Sequence, residues 1–542
     1  MQKLSDLLIA HGITEFGAVC EKVGCSYWPM EHQANTLRKY AKSAGFLDAS
    51  DPGTGKTLPA QINAIRLVSL KHKVIFCMPP KLLTQFEREF EEVFPGIRDV
   101  ITLANLNVSS EKKRKLISEW DDSGWPDILL LSYDVYRSLN DKSNTKAVGQ
   151  NLWRRKDGSP YFKEKGVPFD KDEQPYTRDG RPISKRGRAA NSNKMKLREV
   201  GYNVMFCDEA HALCGTDSLL SQSAKEMQES GCKLYLMTGT PIPTHLEDIY
   251  GLIRLVNPTA YSDKFQFLRK HTETSPLVIS RGGKQATINR IVGYKKTEEI
   301  FEKLYSNAVR VQKRDVVTEL KDPVVTNIPL RLDAAHIKLY RQLVTEQFTI
   351  LGDNVLSPDN ESALRHTALQ IVTSPESFGF TGKNNVAEYC DELLSTINPA
   401  NNKVILFAYY KNTILALKER YKEYNPAVIF GGSSDPKAEI AKFVNDDTCR
   451  IAVINWKSGG AGLNLQVASH IIFYECPTSP GDAKQAIARC DRKGQKEIVN
   501  VYFLRVLGTL LDKNFKSLIK NETEANKVLK DKKDLLSEYF TN

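Results

Sequence analysis

The chain has 542 residues, and 76 lysine and arginine residues against 65 aspartate and glutamate residues give it a net charge of +11. A hydrophobic fraction of 41% with 26% charged residues is typical of globular proteins, and it excludes collagen-like, mucin-like and fully disordered chains. The longest apolar stretches, such as Val404 to Tyr410, fall short of the ~18 residues that cross a bilayer, so no membrane partner is expected.

Short, nearly all-apolar runs alternate with amphipathic stretches, which is typical of parallel sheets covered by helices. A first series predicts strands at Lys73–Cys77, Ile128–Leu131, Asn203–Cys207 and Leu234–Met237. A second series predicts strands at Val404–Phe407, Ala427–Ile429, Ile451–Ile454, Ile471–Phe473 and Val499–Phe503. Residues 245–400, between the two series, are expected to be mostly helical. These patterns predict an α/β chain with two domains, 1–320 and 321–542, and a closing helix within 510–540.

The ten cysteines carry no zinc-binding pattern. Several lie in apolar, strand-like runs, including Cys77 and Cys207, and no C-x-x-C pair occurs. We therefore expect buried, reduced thiols and no zinc site.

Residues 141–200, here called the basic insertion, fit neither series of strands. They hold 16 lysine and arginine residues and only eight aspartate and glutamate residues. Proline is followed by an aromatic or β-branched residue four times, and turn-forming pairs such as Asp157-Gly158 precede these positions. Such pairs between short polar-aromatic runs indicate hairpins. The pattern predicts a β-ribbon-like insertion in the first domain, with a disordered polar segment as the alternative.

The sequence ASDPGTGKT, from Ala49 to Thr57, is a glycine-rich turn that opens a helix. Backbone amides of such a turn, here at Gly53, Thr54 and Gly55, can hold phosphate groups. Lys56 would reach the outer phosphates, and Thr57 would bind Mg²⁺. The leading glycine of the usual pattern is replaced by Ser50, and an ordinary turn is the alternative.

The sequence VMFCDEAH, from Val204 to His211, is an apolar strand that ends in two adjacent carboxylates. Asp208 would hold the hydrated Mg²⁺, and Glu209 would orient and deprotonate an attacking water molecule. Two consecutive acids at the end of a buried strand have little structural purpose, so this pair indicates nucleotide hydrolysis.

The sequence QAIARCDRKGQ, from Gln485 to Gln495, predicts a helix with Gln485, Arg489 and Arg492 on one face. Two guanidinium groups on one face can clamp phosphate oxygens, as arginine fingers do. A solvated basic helix face is the alternative.

Taken together, GTGKT, DEAH, TGTP, SGGAGLNLQ and QAIARCDRKGQ resemble the motifs of superfamily 2 helicase-like ATPases. The blocks TGTPIPTHLEDIYGLIRLVNP, MPPKLLTQFEREF and VQKRDVVTEL are similar to those of the Swi/Snf type, the Snf-two family of double-stranded DNA translocases. The resemblance runs from about Gln33 to Tyr502. It implies two RecA-like lobes, each a parallel sheet flanked by helices, with ATP and Mg²⁺ held between them.

The resemblance also assigns roles to residues. Gln33 matches the glutamine that reads adenine, with Tyr27 or Trp28 placed either to stack on the base or to pack in the core. Residues matching those that bind Mg-ATP and activate water are Lys56, Thr57, Asp208 and Glu209. Residues matching those that complete the site from the second lobe are Gln485, Arg489 and Arg492, with Arg492 favoured as the arginine finger.

Two further groups match parts that connect the nucleotide to movement and to nucleic acid. Gly460 and Gly462 resemble the loop that approaches both ligands, with Gly462 close to the nucleotide. The residues resembling the coupling elements are His211, Thr238 and Thr240. The chain departs from the family pattern at Glu475, Lys457 and the stretch Thr478-Ser479-Pro480, which puts family-specific DNA contacts in doubt.

The basic insertion is a candidate site for sequence-independent DNA binding. Phosphate contacts are expected from Arg154, Arg155, Lys156, Arg178, Arg181, Lys185, Arg186 and Arg188. Tyr161, with Phe169 and Tyr176, could stack on exposed bases. A solvated decoration is the alternative.

Three functions remain open at this stage. The first, which we favour, is an ATP-driven translocase on duplex or branched DNA. The second is a helicase that separates strands or migrates branches at forks and junctions, with RNA ranked behind DNA. The third is a DNA-binding scaffold with a vestigial ATP site, against which the intact Lys56, Asp208, Glu209 and Arg492 argue.

We expect a monomeric motor that meets protein partners on DNA. Its compartment would be the cytoplasm of a bacterium or virus-infected cell, or the nucleus in a eukaryote.

Overall fold

The computed structural model describes residues 2–140, 152–154, 160–162, 196–281, 284–351, 354–358, 360–457 and 464–531. The chain divides into two compact units that are interleaved in sequence. The first unit comprises Met1–Trp28, Ile62–Asp208 and Gly215–Leu234. The second unit comprises Pro29–Gln61, Glu209–Cys214 and Tyr235–Asn542. The domain boundary at residue 320 stays a prediction.

The first unit is built on parallel, apolar strands. Their order is Tyr202–Asp208, Lys73–Met78, Ile128–Ser132 and Leu103–Asn105. Val74 lies opposite both Val204 and Ile128 in this ladder. Phe76 stacks on Phe206 with ring centroids 4.8 Å apart, so aromatic packing joins two neighbouring strands. Both faces of these strands are buried, which explains their nearly continuous hydrophobic sequence.

The second unit carries the strands that lead into two of the sequence motifs. The strands are Gly45–Asp48 and Ala308–Val309, together with Lys233–Met237, whose first two residues belong to the first unit. Leu47 pairs with Ala308, and the amide of Thr238 donates to the carbonyl of Asp48 at 3.0 Å. The glycine-rich turn and the TGTP sequence therefore follow the ends of adjacent segments.

The second unit also holds a parallel sheet of six strands. Their order is Val324–Leu330, Asn500–Val506, His470–Phe473, Val404–Ala408, Ile451–Asn455 and Ala427–Ile429. Phe473 stacks between Phe407 and Phe503, with centroid distances of 5.3 and 4.5 Å. The parallel strands of the described chain thus fall into two sheets, of seven and six strands. All nine strands predicted from the sequence are confirmed, with ends that shift by three residues or fewer.

Helices flank both sheets. Those of the first unit are Leu4–Ala10, Val19–Lys22, Pro80–Val93, Ser110–Ser123, Tyr133–Asn140, Lys196–Glu199 and Leu219–Glu229. Those of the second unit are Glu31–Lys42, Ile249–Val256, Lys264–His271, Thr297–Tyr305, Lys313–Val316, Ala334–Glu346, Glu361–Thr373, Asn385–Ile397, Lys411–Arg420, Pro436–Asn445, Pro480–Ile487 and Leu510–Leu529. The helix Thr57–Ser69 runs from the second unit into the first. Within the described chain, none of these helices combines the length and the apolar content needed to cross a membrane.

Antiparallel pairs lie outside the two sheets. The shorter pairs are Gln2–Lys3 with Gly24–Cys25, Thr349–Leu351 with Asn354–Leu356, and Leu152–Arg154 with Pro160–Phe162. The last pair agrees with the predicted hairpin in being antiparallel, and Asp157-Gly158 lies outside the described residues. The long strands Thr272–Arg281 and Lys284–Tyr294 pair with each other, so the expectation of a mostly helical segment is wrong for residues 272–294.

All ten cysteines are free and buried, as predicted. Burial raises the pKa of Cys232 to about 12, which keeps this thiol protonated at neutral pH. Among the described residues, no group of three or more histidine, cysteine or acidic side chains is arranged to hold a metal ion.

Candidate nucleotide site

The glycine-rich turn connects the strand Gly45–Asp48 to the helix Thr57–Ser69. Gly53 and Gly55 have φ angles of +87° and +78°, in the left-handed region that favours glycine. The ammonium group of Lys56 donates to the carbonyls of Ser50 and Asp51 at 2.7 and 3.0 Å. Lys56 therefore lies inside the turn, as a phosphate-binding lysine requires.

Gln33 lies against this turn and is only 8% exposed. Its Nε2 donates to the carbonyl of Gly55 at 3.0 Å, and its Oε1 accepts from the amide of Met30 at 2.8 Å. A Cβ atom on Gly55 would lie 2.3 Å from Nε2 of Gln33, so only glycine fits there. The amide side chain thus braces the turn, while its reading of adenine stays a prediction.

The acid pair lies at the end of the strand Tyr202–Asp208. In the first unit, the hydroxyl of Tyr133 donates to the carbonyl of Asp208 at 2.7 Å. Glu209 has φ +52°, a left-handed conformation that ends the strand. Asp208 is thus the last residue of the strand, and Glu209 lies in the turn that leaves it.

The carboxylate of Glu209 lies in a positive environment. Burial raises its pKa, but a hydrogen bond and the charge of His211 lower it, with the His211 Nδ1 atom 3.3 Å from Oε2. The charges of Lys56 and Arg489 lower it further. The net effect is a pKa below the usual range of glutamate, so Glu209 is ionised at neutral pH.

A chain of polar contacts runs from Glu209 to Gln485 within the second unit. The Nδ1 atom of His211 also lies 3.2 Å from the Thr238 hydroxyl and 3.3 Å from the Thr240 hydroxyl. The Nε2 atom of Gln485 donates to the Thr240 hydroxyl at 3.1 Å. The DEAH, TGTP and QAIARCDRKGQ sequences therefore meet through their side chains.

The helix predicted over Gln485–Gln495 is wrong beyond Ile487. After Ile487 the regular helix gives way to hydrogen-bonded turns, in which the amides of Arg489 and Cys490 donate to the carbonyls of Ala486 and Ile487 at 3.2 and 3.0 Å. The carbonyl of Arg489 accepts from the amide of Leu465 at 3.1 Å. Gln485, Arg489 and Arg492 consequently do not share one helix face.

Arg489 nevertheless belongs to this site. Burial lowers the pKa of its guanidinium to about 10, with Glu209 opposing that shift and Arg492 adding to it. Among the described residues, its buried Nε atom has no hydrogen-bond partner. A half-buried cation with a buried donor, beside a carboxylate and a second arginine, suits the binding of an anion such as a phosphate.

An ion-pair network around the turn was not predicted from the sequence. The Arg310 guanidinium donates to the carbonyl of Ala49 at 2.6 Å, to Asp51 at 3.1 Å and to Asp531 at 2.7 Å. The Lys313 ammonium pairs with Asp491, and the Lys313 amide donates to Asp51 at 2.9 Å. The only local signal was the position of Arg310 and Lys313 beside and within the VQKRDVVTEL block. Their partners are up to 262 residues away.

The departures from the family pattern have structural explanations. The Glu475 carboxylate accepts from the amides of Tyr409 and Tyr410 and from the hydroxyls of Thr373 and Thr413, at 2.6–3.0 Å. Ser479 donates to the carbonyl of Pro243 at 2.7 Å and caps the helix Pro480–Ile487. Lys457 lies over the ring of Tyr409.

Several predicted residues lie outside the described part. Gly460 and Gly462 fall there, as do Arg155, Lys156, Phe169, Tyr176, Arg178, Arg181, Lys185, Arg186 and Arg188. Arg154 and Tyr161 lie in the short hairpin, of which the backbone alone is described.

Two parallel sheets flanked by helices, with a glycine-rich turn between a strand and a helix, define a RecA-like α/β protein. The chain belongs to the SNF2-related domain family, whose model matches residues 28–378. The model of the helicase conserved C-terminal domain matches residues 385–494.

The chain is similar to several curated proteins. The mouse DNA repair and recombination protein RAD54B is 25% identical over 373 residues, which cover 60% of this chain and 42% of that protein. The yeast TATA-binding protein-associated factor MOT1 is 23% identical over 380 residues, which cover 60% of this chain and 20% of that protein. The mouse DNA annealing helicase and endonuclease ZRANB3 is 24% identical over 318 residues, which cover 58% of this chain and 29% of that protein. The matched part thus spans less than half the length of each relative.

A solved structure, the Sulfolobus solfataricus SWI2/SNF2 ATPase core in complex with dsDNA, is 18% identical with a TM-score of 0.36. The comparison covers 95% of this chain and 96% of that chain.

Proposed function

We propose that the protein is an ATP-dependent double-stranded DNA translocase of the Swi/Snf type. The observation that carries this proposal is the contact chain from Glu209 through His211 and Thr240 to Gln485. It joins the hydrolytic carboxylate, within the SNF2-related match, to a side chain within the C-terminal helicase match. Such a connection is what a motor needs if hydrolysis is to change the contacts of a second domain.

The nucleotide would be held by the glycine-rich turn, with Lys56 on the outer phosphates and Gln33 beside the turn. The hydroxyl of Thr57 and the carboxylate of Asp208 are oxygen donors that fit Mg²⁺, which typically takes one or two protein ligands and completes its shell with phosphate and water. When bound, Mg²⁺ would neutralise phosphate charge.

Glu209 would orient the attacking water and accept its proton, because the surrounding cations keep this carboxylate ionised. Arg489 and Arg492 would neutralise charge that develops on the transferred phosphate. Loss of the phosphate would then remove the anion that the guanidinium groups of Arg489 and Arg492 face. A movement of these arginine side chains would also move Gln485, which precedes them in the chain, and would change its hydrogen bond to Thr240.

DNA is the proposed track because the named relatives are DNA repair, annealing and TATA-factor proteins. Binding would be independent of sequence and directed to phosphates, as translocation requires. We further propose a monomeric motor that acts on proteins bound to DNA, in the bacterial or infected-cell cytoplasm or in a nucleus.

The test measures ATP hydrolysis alone and with duplex DNA, single-stranded DNA, forked DNA and RNA. We expect the greatest stimulation with duplex DNA, together with displacement of a third strand from a triplex. Glu209→Gln should lower the rate by about 100-fold or more while nucleotide binding persists. Efficient separation of duplex strands would favour the helicase instead, and full activity of Glu209→Gln would contradict the proposed site.

A further inference from the structure

The strands Thr272–Arg281 and Lys284–Tyr294 form what we call the exposed ribbon. Leu277 pairs with Ile288, and Arg281 pairs with Lys284 at the end of the ladder. Residues 273–278 and 287–290 are all exposed. Because consecutive residues of a strand point to opposite faces, neither face of this part of the ribbon is covered. Nine residues beyond the buried Thr272 carry the ribbon outward by roughly 30 Å.

The base of the exposed ribbon is firmly attached. His271 is fully buried, its ring lies 2.9 Å from the hydroxyl of Tyr261, and its carbonyl accepts from the amide of Lys295 at 3.0 Å. The hydroxyl of Tyr294 donates to the carboxylate of Glu247. An isolated two-stranded hairpin is marginally stable in water, so these contacts fix its position. The ribbon is therefore an arm that is held at one end and exposed over residues 273–278 and 287–290.

The arm is basic. The ribbon itself carries three cations, Arg281, Lys284 and Arg290, and one acid, Glu273, near its base; Lys295 and Lys296 follow it directly. Arg290, Lys295 and Lys296 are exposed, and the Lys520 ammonium, 3.4 Å from the carbonyl of Val292, adds a cation near the base. The whole chain carries only +11, so this density of positive charge marks a surface for a polyanion.

The arm is also apolar between its cations. Leu277, Val278 and Ile288 are 41%, 59% and 44% exposed. A purely solvated arm gains nothing from such side chains, whereas a nucleic-acid groove offers sugar and base-methyl surface to them. The major groove of B-form DNA is wide enough, at about 12 Å, to admit a two-stranded ribbon.

We propose that the exposed ribbon binds duplex DNA, with its cations on the phosphates and its apolar residues against a groove. The inference rests on the proposed function, since it names a contact of the motor with its track. It adds a second DNA-binding element, separate from the basic insertion.

The test compares two variants with the same net charge. Arg281→Gln, Lys284→Gln and Arg290→Gln together remove three cations from the ribbon. Lys418→Gln, Lys422→Gln and Lys437→Gln remove three exposed cations from elsewhere in the second unit. Binding to a fluorescein-labelled duplex of mixed sequence is followed by anisotropy over a range of salt concentrations. Thermal unfolding checks that both variants are folded.

We expect the ribbon variant to lose at least tenfold in affinity, and its slope of log K against log salt to fall by about two to three. The control variant should keep the affinity and the salt slope of the wild-type protein. Leu277→Ser with Ile288→Ser should weaken binding but leave the slope unchanged, because apolar contacts release no counterions. An equal loss in the control would assign the effect to net charge and overturn the inference.

A ribbon variant with unchanged DNA affinity and salt dependence would also overturn the inference. An acidic protein would then be the remaining candidate partner of the ribbon. The proposed function fails by a different result, namely wild-type protein whose ATP hydrolysis no DNA stimulates. The two failures are therefore distinguishable.

Discussion

At the scale of single residues, Glu209 shows how a strained position serves a site. A non-glycine residue at φ +52° is uncommon, and such conformations cost on the order of 1–3 kcal/mol. The contact with His211 helps to hold it there. The left-handed conformation turns the chain directly after Asp208, so the strand ends there and the Glu209 carboxylate lies beside His211.

We expect the contact of Gln485 with Thr240 to couple ATP hydrolysis to residues 385–494, the part that matches the helicase conserved C-terminal domain. Gln485→Ala removes the only hydrogen bond described for this side chain and leaves Lys56 and the turn untouched. We therefore expect KM for ATP to stay within about twofold, while kcat in the presence of DNA falls about 10-fold or more. Steady-state kinetics with and without duplex DNA measure this split. Gln85→Ala, at an exposed helix position, is the matched control; a rise in KM alone would instead assign Gln485 to nucleotide binding.

The buried Glu475 carboxyl should make the thermal stability of the protein depend on pH. Burial raises the pKa of this carboxyl even though it accepts four hydrogen bonds. An acid whose pKa is higher in the folded state adds stability below its unfolded pKa, and that contribution is lost as pH rises through the folded pKa. Glu475→Gln has nearly the same shape without the titration. Its Tm relative to wild type should therefore increase from about pH 4 to about pH 7.

The matched control for this prediction is Glu497→Gln, at an exposed position, whose Tm difference should not change over the same range. A difference for Glu475→Gln that declined with rising pH would show that the buried carboxyl favours its charged form.

The residues of the site differ in how far the sequence predicts them. Lys56, Asp208 and Glu209 lie in short motifs whose chemistry depends on adjacent residues, so the sequence alone proposes them as site residues. Arg310 and Asp531 are 221 residues apart and meet only in the folded chain. No local pattern marks such a pair, which explains why the sequence did not reveal it.

At the scale of elements, the apolar strands were predictable because both faces are buried and the sequence is therefore almost continuously hydrophobic. The exposed ribbon was missed because its sequence is mixed and its faces are solvated. Gly282-Gly283 between two β-branched runs was the available hairpin signal. The end of the helix Pro480–Ile487 was missed because the following residues keep local turn bonds, such as that from the Cys490 amide to the Ile487 carbonyl, and no proline interrupts the pattern.

The helix Leu510–Leu529 leads to Asp531, which pairs with Arg310 beside the glycine-rich turn. Both side chains are under 10% exposed. Asp531→Asn leaves the guanidinium buried with less compensation, so we expect a loss of about 3 kcal/mol in the free energy of unfolding. Urea unfolding measures the change. Asp391→Asn, which breaks the more exposed pair with Arg420, should cost less than about 1 kcal/mol; equal losses would contradict a special role for the buried pair.

At the scale of the whole molecule, the net charge is concentrated in two segments. The basic insertion carries twice as many cations as acids, and residues 272–296 carry five cations and one acid. The rest of the chain is nearly neutral. A motor that moves along DNA without reading sequence needs phosphate contacts that can be released, and clustered cations on extended segments suit that requirement.

Deletion of residues 150–190 tests the part played by the basic insertion. We expect weaker binding to duplex DNA and a flatter dependence of affinity on salt, because each lost phosphate contact lowers the slope by about 0.9. ATP hydrolysis without DNA serves as the check on folding, since Lys56, Glu209 and Arg489 lie outside the deleted stretch. Combined with the ribbon substitutions, the deletion should lower the slope by the sum of the two separate effects if both segments contact one duplex. Unchanged affinity and slope after the deletion would identify the insertion as a solvated decoration and leave the ribbon as the candidate DNA contact.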